Sequence, residues 1–565
     1  MSLLSAINIG AQALDANQIG MRVVANNIAN ANTPGYIRQT LNLGTAVSQK
    51  VGNLNVGLGV RTLGVQQHVD LFVASRLRDA KSDLEAGTQQ RDVLQELEGV
   101  LGELNDTDLS TGLTRFFSSI NDIVNQPESA SVRNVAILEA KRLTSDIRSV
   151  AGQLREMRTQ VNDQVKGEVD EVNRLLDEIA KLNVKILQTE GGNAAGNAAV
   201  GLRDQRLLAL ERLSELMDVK ATEQESGTIS VYAGGDFLVF DGTARSISIE
   251  TESNRGIAIN RLVLTETGST LRPEGGVIGG LLASRDETLA EAIDRFDQFA
   301  RTLAYEFNRV HSSSQGLVGF GSITSVERVS SIDTPLDEAG LSYVPENGSF
   351  SVLVRDVASG QTRTIEIPVS LQGLDDDTTL ADIRDALDAV DGLSASIDSN
   401  RRLRISTERE GLDFAFADDT SGLLASLGIG TFFTGTGAGD IDIGSELLAD
   451  PRRFAASQEG IGTDARGAEA LASLGDRPID SLGGLAITQV YERLTIQITQ
   501  ASASAAAEVD GLTVYKNTIE AQHLSVTGVS LDEEAIRLMT YQRAFQASAR
   551  VIQTASDLFE VLVNL

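Results

Sequence analysis

Three histidines, His68, His311 and His523, are the only imidazoles this 565-residue chain could use for proton transfer or metal ligation. They lie far apart, none sits in an HExxH motif or beside a second ligand, and each is expected at a surface or a helix end. The run GTGAGDIDIG at 435–444 has the Gly/Asp texture of a calcium-binding nonapeptide. One copy cannot build the turn-to-turn cage that such repeats need, so it gives calcium thin support. Asp375-Asp-Asp377 precedes a helix expected to start near Thr379, where acidic residues complement the helix dipole. Arg401-Arg402 and Arg452-Arg453 are isolated pairs, suited to ion pairing rather than to a nucleic-acid patch. There is no GxSxG, Walker A or strand-linked GxGxxG. No catalytic, cofactor-binding or metal site is expected, and no cofactor.

What remains is the chemistry of surfaces, and two helices carry it. At the start of the chain Ile7, Leu14, Met21 and Ile28 recur every seven residues, with Leu4, Ala11, Gln18 and Ala25 between them. At its end Leu531, Leu538, Phe545, Ile552 and Phe559 do the same, followed four residues later by Ala535, Gln542, Ala549, Ser556 and Val563. A 3–4 spacing keeps a narrow seam on one side of a helix, the condition for knobs-into-holes packing. Each stripe needs a partner, so the first and last helices are expected to pack together as a coiled-coil stalk. Ala11, Ala25, Ala549 and Ser556 are expected to let the backbones approach; Gln18 and Gln542 either fix register or bond between subunits, or mark a seam locally open to water.

Composition narrows the function classes. There are 79 acidic and 48 basic residues, a net charge of -31, which argues against nucleic acid as a partner. Cysteine is absent, so there is neither a disulfide framework nor a thiolate metal site, which suits a chain exported unfolded and equally a cytosolic one that simply lacks Cys. No stretch approaches the ~18 apolar residues of a membrane span, so no membrane insertion is expected. Before Arg22 there is no basic residue, so the start does not read as a Sec signal peptide. Aromatics are 4% of the chain, tryptophan is absent, and no proline follows Pro478, which permits long helices toward the end.

The expected organisation is nested, elongated and mainly α with β insertions (α+β). Residues 1–70 and 524–565 form a terminal axial domain, and Asn30, Thr33, Pro34, Gly35 and Tyr36 form the turn after the first helix, with Gly35 at positive φ. Gly52, Gly57, Gly59 and Gly64 punctuate short strands over 36–70. Residues 71–321 and 441–523 form a helical core domain, striped from Leu143 to Ile186 across a stutter at Gly167. The loop 191–200 leads it into a helix at 202–217, β-hairpins follow over 219–280, and helix returns from Ala283 to about Val310. Residues 322–440 form an outer α+β insert with a hairpin over 350–369 and a helix bearing Leu380, Ile383, Leu387 and Val390.

Val24-Ala-Asn-Asn-Ile28 and Ala29-Asn-Ala-Asn-Thr-Pro-Gly-Tyr36 closely resemble the N-terminal signature of the bacterial flagellar axial superfamily of rod, hook and hook-associated proteins. Gly528-Val-Ser-Leu-Asp-Glu-Glu-Ala535, Tyr541-Gln-Arg-Ala-Phe-Gln-Ala-Ser-Ala549 and Val551-Ile-Gln-Thr-Ala555 resemble its C-terminal helix. Five interior motifs resemble the hook–filament junction family within it: Tyr36-Ile-Arg-Gln39, Leu202-Arg-Asp-Gln-Arg206 with Leu213-Ser-Glu-Leu216, Gly279-Gly-Leu-Leu-Ala-Ser-Arg-Asp286, Asn308-Arg-Val-His311 and Asp450-Pro-Arg-Arg453. That resemblance implies a structural protein without catalysis, assembled through its terminal helices as a layer between hook and filament. It implies as partners the hook protein, a second hook–filament junction protein and copies of itself in a helical or ring layer. It also implies an export chaperone on the C-terminal helix, the flagellar type III export apparatus, and a final location outside the cell after a transient cytoplasmic stage. Another flagellar axial protein (hook or distal rod) and an acidic secreted adhesin or calcium-binding protein remain as alternatives.

Overall fold

The computed structural model describes residues 3–51, 54–102, 108–191, 199–374, 376–462 and 464–563. Gly52, Asp375 and most of the 191–200 loop lie outside them. The fold is mainly helical with several small antiparallel sheets. Its helices are α1 (Leu3–Ala29), α2 (Leu71–Leu101), α3 (Leu109–Asn125), α4 (Ala130–Glu190), α5 (Val200–Leu216), α6 (Gly276–Ala283) and α7 (Leu289–Ser312). They continue as α8 (Leu380–Asp388), α9 (Leu423–Leu427), α10 (Ser445–Ala449), α11 (Arg466–Ser473), α12 (Ile487–Thr527) and α13 (Leu531–Val563). The chain divides into two compact units, one of residues 1–93, 159–287 and 503–565, the other of 94–158 and 288–502.

In the first unit the second half of α4 is the organising element. Val165, Val169, Val172, Leu176, Ile179 and Ile186 are buried, and the helix runs unbroken through Gly167. Three asparagines on it hold the neighbouring strands. Asn173 and Asn183 each donate to and accept from the backbone of one strand residue, Ile247 and Ile229, at 2.8–3.0 Å. Asn162 accepts from the Asn260 N–H at 2.7 Å. An amide side chain offers a donor and an acceptor side by side, so it can cap a strand edge as another strand would. The strands are those expected over 219–272, but helix begins at Gly276 rather than Ala283. The glycines of the Gly279–Asp286 motif make a close approach: a β-carbon on Gly280 would stand 2.5 Å from the Ala86 carbonyl oxygen. A π-turn, Ser284–Thr288, then leads into α7 and turns Arg285 inward.

In the second unit Phe116, Phe307, Phe432 and Phe433 form one ring cluster, with centroids 4.8–5.9 Å apart. His311 sits against it, buried rather than at a surface. Its Nδ1–H donates to Gly430 O at 2.9 Å and its Nε2 accepts from the Ala455 N–H at 3.0 Å, so burial leaves neither nitrogen unsatisfied. That burial holds the imidazole pKa down, to about 4.

Residues 323–429 share a hydrophobic cluster within this unit. The strands Gly348–Asp356, Thr362–Val369 and Leu412–Ala417 form one sheet; Ser322–Thr324, Leu393–Ile397 and Leu403–Thr407 form another. Leu380, Ile383 and Leu387 of α8 pack into the same cluster. The α8 start is a reciprocal capping box between Thr379 and Asp382. Asp377 does not serve the helix dipole: its carboxylate accepts from the N–H groups of Gln372, Gly373 and Leu374, which keeps its pKa low, and shapes the preceding turn. The Gly/Asp run at 435–444 is likewise a turn, in which Asp440 accepts from the Thr436 and Gly437 N–H groups.

Candidate assembly interface

α1 and α13 pack antiparallel, first residues against last. Gly10 lies against Ile552, Gly20 against the Tyr541 ring, and Asn27 against Glu534. A β-carbon at Gly10 or Gly20 would come within 2.6 Å of those side chains, so the missing side chain is what lets the helices close. These two glycines, not Ala11 and Ala25, provide the approach; Ala11, Ala25 and Ser556 are exposed.

The seam is therefore rotated from the expected one. On α13 the stripe Leu538, Phe545 and Ile552 is half-buried as expected, but its companions are Glu534, Tyr541, Ser548 and Ala555, one residue earlier than Ala535, Gln542, Ala549 and Ser556. On α1 the buried positions are Gly10, Ala16, Gly20, Val23, Val24 and Asn27. Ile7, Leu14, Met21 and Ile28 are half-buried beside them, while Leu4, Gln18, Leu531, Gln542 and Phe559 stand exposed. The other side of α1 faces the strand pair Gln39–Thr45 and Val60–Gln67 through Gln12 and Ile9, both close to Gly59.

The end of the pair is locked by polar groups. Asn27 is fully buried; its Nδ2 donates to Glu534 Oε2 at 2.9 Å and to Gln39 O at 2.8 Å, and its Oδ1 accepts from Gln39 N at 3.0 Å. Arg38 Nε donates to Glu534 Oε1 at 3.1 Å, and Arg38 Nη2 pairs with Glu533 at 3.0 Å. Glu534, itself 0% exposed, thus meets both an amide and a guanidinium, which compensates its burial. Backbone joins in: Arg38 N donates to Thr527 O at 3.0 Å.

The turn motif points its residues into this lock. Asn30 caps back on Asn26 O at 3.0 Å, Thr33 N donates to Asn30 O at 2.9 Å, and Gly35 has φ +73°. The sign of that φ favours glycine, and a β-carbon there would also meet Leu208 at 3.3 Å. Pro34 is exposed, and Tyr36 turns back so that its hydroxyl donates to Asn27 Oδ1 at 2.8 Å. Burial first, then Asp204 and Glu534, push the Tyr36 phenol up to about 12, so it remains a donor. Sequence reasoning found Asn30, Thr33, Gly35 and Tyr36 but missed Asn27, Arg38 and Glu534. A polar Asn27 four residues after Val23 in an otherwise apolar row was the available signal.

A second network stands behind the strands. Arg203 pairs with Glu190 at 2.8 Å and Glu223 at 2.5 Å. Arg206, 2% exposed, donates to Asn183 Oδ1 at 2.9 Å and Gly227 O at 2.7 Å. Asp204 accepts from Gln67, and burial raises its carboxyl to about 6. Arg285 donates to Asn162 and to Asn260 O at 2.9 and 2.7 Å. These arginines fasten helix to sheet. Among the described residues no three His, Asp or Glu side chains cluster as metal ligands, and no helix is long and apolar enough to cross a membrane.

Family models match three parts of the chain. One described as "Flagellar hook-associated protein FlgK helical domain" covers residues 94–322. "Flagella basal body rod protein" covers 7–36, and "Flagellar basal body rod FlgEFG protein C-terminal" covers 520–565; these two fall on α1 with its turn and on the end of α12 with α13. The chain is 26% identical to Flagellar hook-associated protein 1 of Salmonella typhimurium over 99% of its own length and 100% of that protein's. To Flagellar hook-associated protein 1 of Escherichia coli it is 27% identical with the same coverage. Among solved structures, the flagellar hook junction protein FlgK from Burkholderia pseudomallei matches with a TM-score of 0.51 at 17% identity, over 80% of this chain and 100% of that one. At that identity the likeness concerns the fold.

Proposed function

We infer that this chain belongs to the flagellar hook-associated protein 1 family and is a structural protein of the bacterial flagellum, forming the junction layer between hook and filament. The observation that carries the reading is the incomplete burial of α13. Leu531, Ile536, Met539, Val551 and Leu558 are each more than half exposed, although the helix is fastened to α1 along its other side. Burying one such side chain fully contributes ~1.5–3 kcal/mol. A helix with five of them in water is completed when neighbours cover it, and in a layer those neighbours are further copies of the chain. Leu4 and Phe559 join that surface, and Gln18 and Gln542, exposed in the single chain, bond across it.

The hook protein on one side and a second junction protein on the other complete the stack. Before assembly an export chaperone covers the apolar side of α13, and the chain leaves through the flagellar type III apparatus to function outside the cell. A chain without cysteine makes that passage without crosslinking. Electron microscopy of a deletion strain tests the reading. Hooks should be intact and filament subunits lost to the medium, with attachment restored by the whole chain and not by one ending before Leu531. Missing hooks, or filaments retained without the protein, would overturn it.

A further inference from the structure

The first unit carries a second apolar cluster at its surface, away from the α1–α13 seam. Phe72, in the first turn of α2, is 70% exposed, and Tyr515 of α12 is 42% exposed. Between them lies the Arg76 guanidinium, its carbon 5.9 Å from the Phe72 ring centre and 6.0 Å from that of Tyr515. Arg76 Nη2 also donates to Tyr515 Oη at 3.1 Å. Two cation–π contacts and a hydrogen bond hold this guanidinium in place, yet among the described residues no carboxylate pairs with it. Arginine beside an aromatic ring, fixed in advance and partly dehydrated, is the composition of an interface hot spot. In a chain of net charge -31 it is also a cation set out to receive an anion.

The last turns of α13 have the complementary character. Asp557 and Glu560 form no ion pair among the described residues, and Leu558, 54% exposed, and Phe559, 39% exposed, lie between them. Within one chain, no hydrogen bond, ion pair or ring contact among the described residues joins the two surfaces. Tyr515 lies roughly 18 Å before the end of α12, and Glu560 roughly 44 Å into α13, at the helical rise per residue. Even with α13 folded straight back and the link at 528–530 fully extended, about 15 Å would separate the Glu560 backbone from that of Tyr515.

We propose that the Phe72–Arg76–Tyr515 cluster of one copy receives the Asp557–Glu560 turn of a second copy. The contact is heterologous, a head on one chain and a socket on the next, so it propagates from copy to copy around the layer instead of closing a dimer. The proposal rests on the layer-forming reading and names the surface by which successive copies engage.

The absence of native cysteine makes the test clean. Phe72→Cys and Leu558→Cys are combined in one chain and oxidised in isolated hook–filament preparations. A ladder of crosslinked multimers is expected from the double variant and none from either single one. Arg76→Glu should lower filament attachment at least tenfold, and adding Asp557→Arg with Glu560→Arg should restore most of it. Purified Arg76→Glu chain should melt within about a degree of the original, which separates a lost contact from a lost fold. Layers that assemble with no ladder, or charge reversal that does not rescue, overturn this contact while leaving the junction reading intact. Layers that never assemble from the unaltered chain would overturn the reading beneath it.

Discussion

In the module at 323–429, Phe350, Leu387, Phe414 and Leu427 are at most 1% exposed, whereas in α13 only Glu534 and Ala555 are buried and Ile536, Val551 and Leu558 stand more than half in water. Both regions are rich in apolar residues, so hydrophobicity alone does not distinguish them. The difference is whether enough chain is present to close around those residues. Two sheets and a helix enclose the module's interior, and its edges are tied off by capping and turn carboxylates such as Asp377 and Asp419. A two-helix pair has no third side. The cluster at 323–429 closes over its own apolar residues, and the terminal pair leaves much of its apolar surface open.

Aspartate on the open side of α13 separates the two most sharply. Ile536 and Val551 are each more than half exposed in the single chain, so with Ile536→Asp and Val551→Asp the melting temperature of purified protein should nearly hold while filament attachment falls to background. A large drop in melting temperature would show that α13 is already complete. The converse change is Phe414→Ala in the module, where emptying a buried aromatic site costs about 3–5 kcal/mol. Protease should then cut within 323–429, while filament attachment survives, as it should when 323–429 are replaced by a short linker that keeps Gly430, Phe432 and Phe433. Loss of attachment in either case would give the module a part in the junction.

Between these extremes lies the lock. Glu534→Ala leaves Asn27 and Arg38 facing a buried void and should cost about 3 kcal/mol, read as faster hydrogen exchange along α1 and α13. Unchanged exchange would mean that the glycine contacts alone hold the pair. The smallest effects are in pH, and they differ in sign between the two units. The His311 pKa lies below its ordinary value, so the stability it contributes is present above pH 6.5 and is lost as pH falls toward 4. The Asp204 pKa lies above its ordinary value, so its contribution is present below pH 4 and is lost as pH rises through 6. From pH 7 to 5, His311→Gln should flatten an acid loss and Asp204→Asn an acid gain, each on the order of a few degrees or less. Identical pH profiles for both variants and the parent would show that neither group titrates on unfolding.

The contrast also marks what was legible in the sequence. Periodicity revealed the paired terminal helices, the long α4 stripe and the α8 face, because each depends on apolar residues at fixed spacing. It placed the seam one residue out because three companions, Glu534, Tyr541 and Ser548, are polar or amphipathic and do not register as a stripe. Gly10 and Gly20 were passed over for a related reason: a close approach is made by the absence of a side chain. The Asn162, Asn173 and Asn183 anchors, the buried Arg206 and the inward His311 depend on partners far off in sequence, and spacing carries no information about those. The turn at Thr33–Tyr36 was readable because proline and glycine act on their own backbone.

The lock joins α1 to α13 across more than 500 residues of sequence, so each half of it is a test of whether the other is there. A copy cut before Leu531 has Asn27 without its carboxylate, Arg38 without its counter-charge, and two glycines facing empty space. Its 323–429 cluster makes none of these contacts, so folding there is expected to be the same in both copies. Only a chain that carries α13 can fasten the lock, so α1 of a shortened chain should exchange its amide hydrogens freely even where 323–429 stays protected.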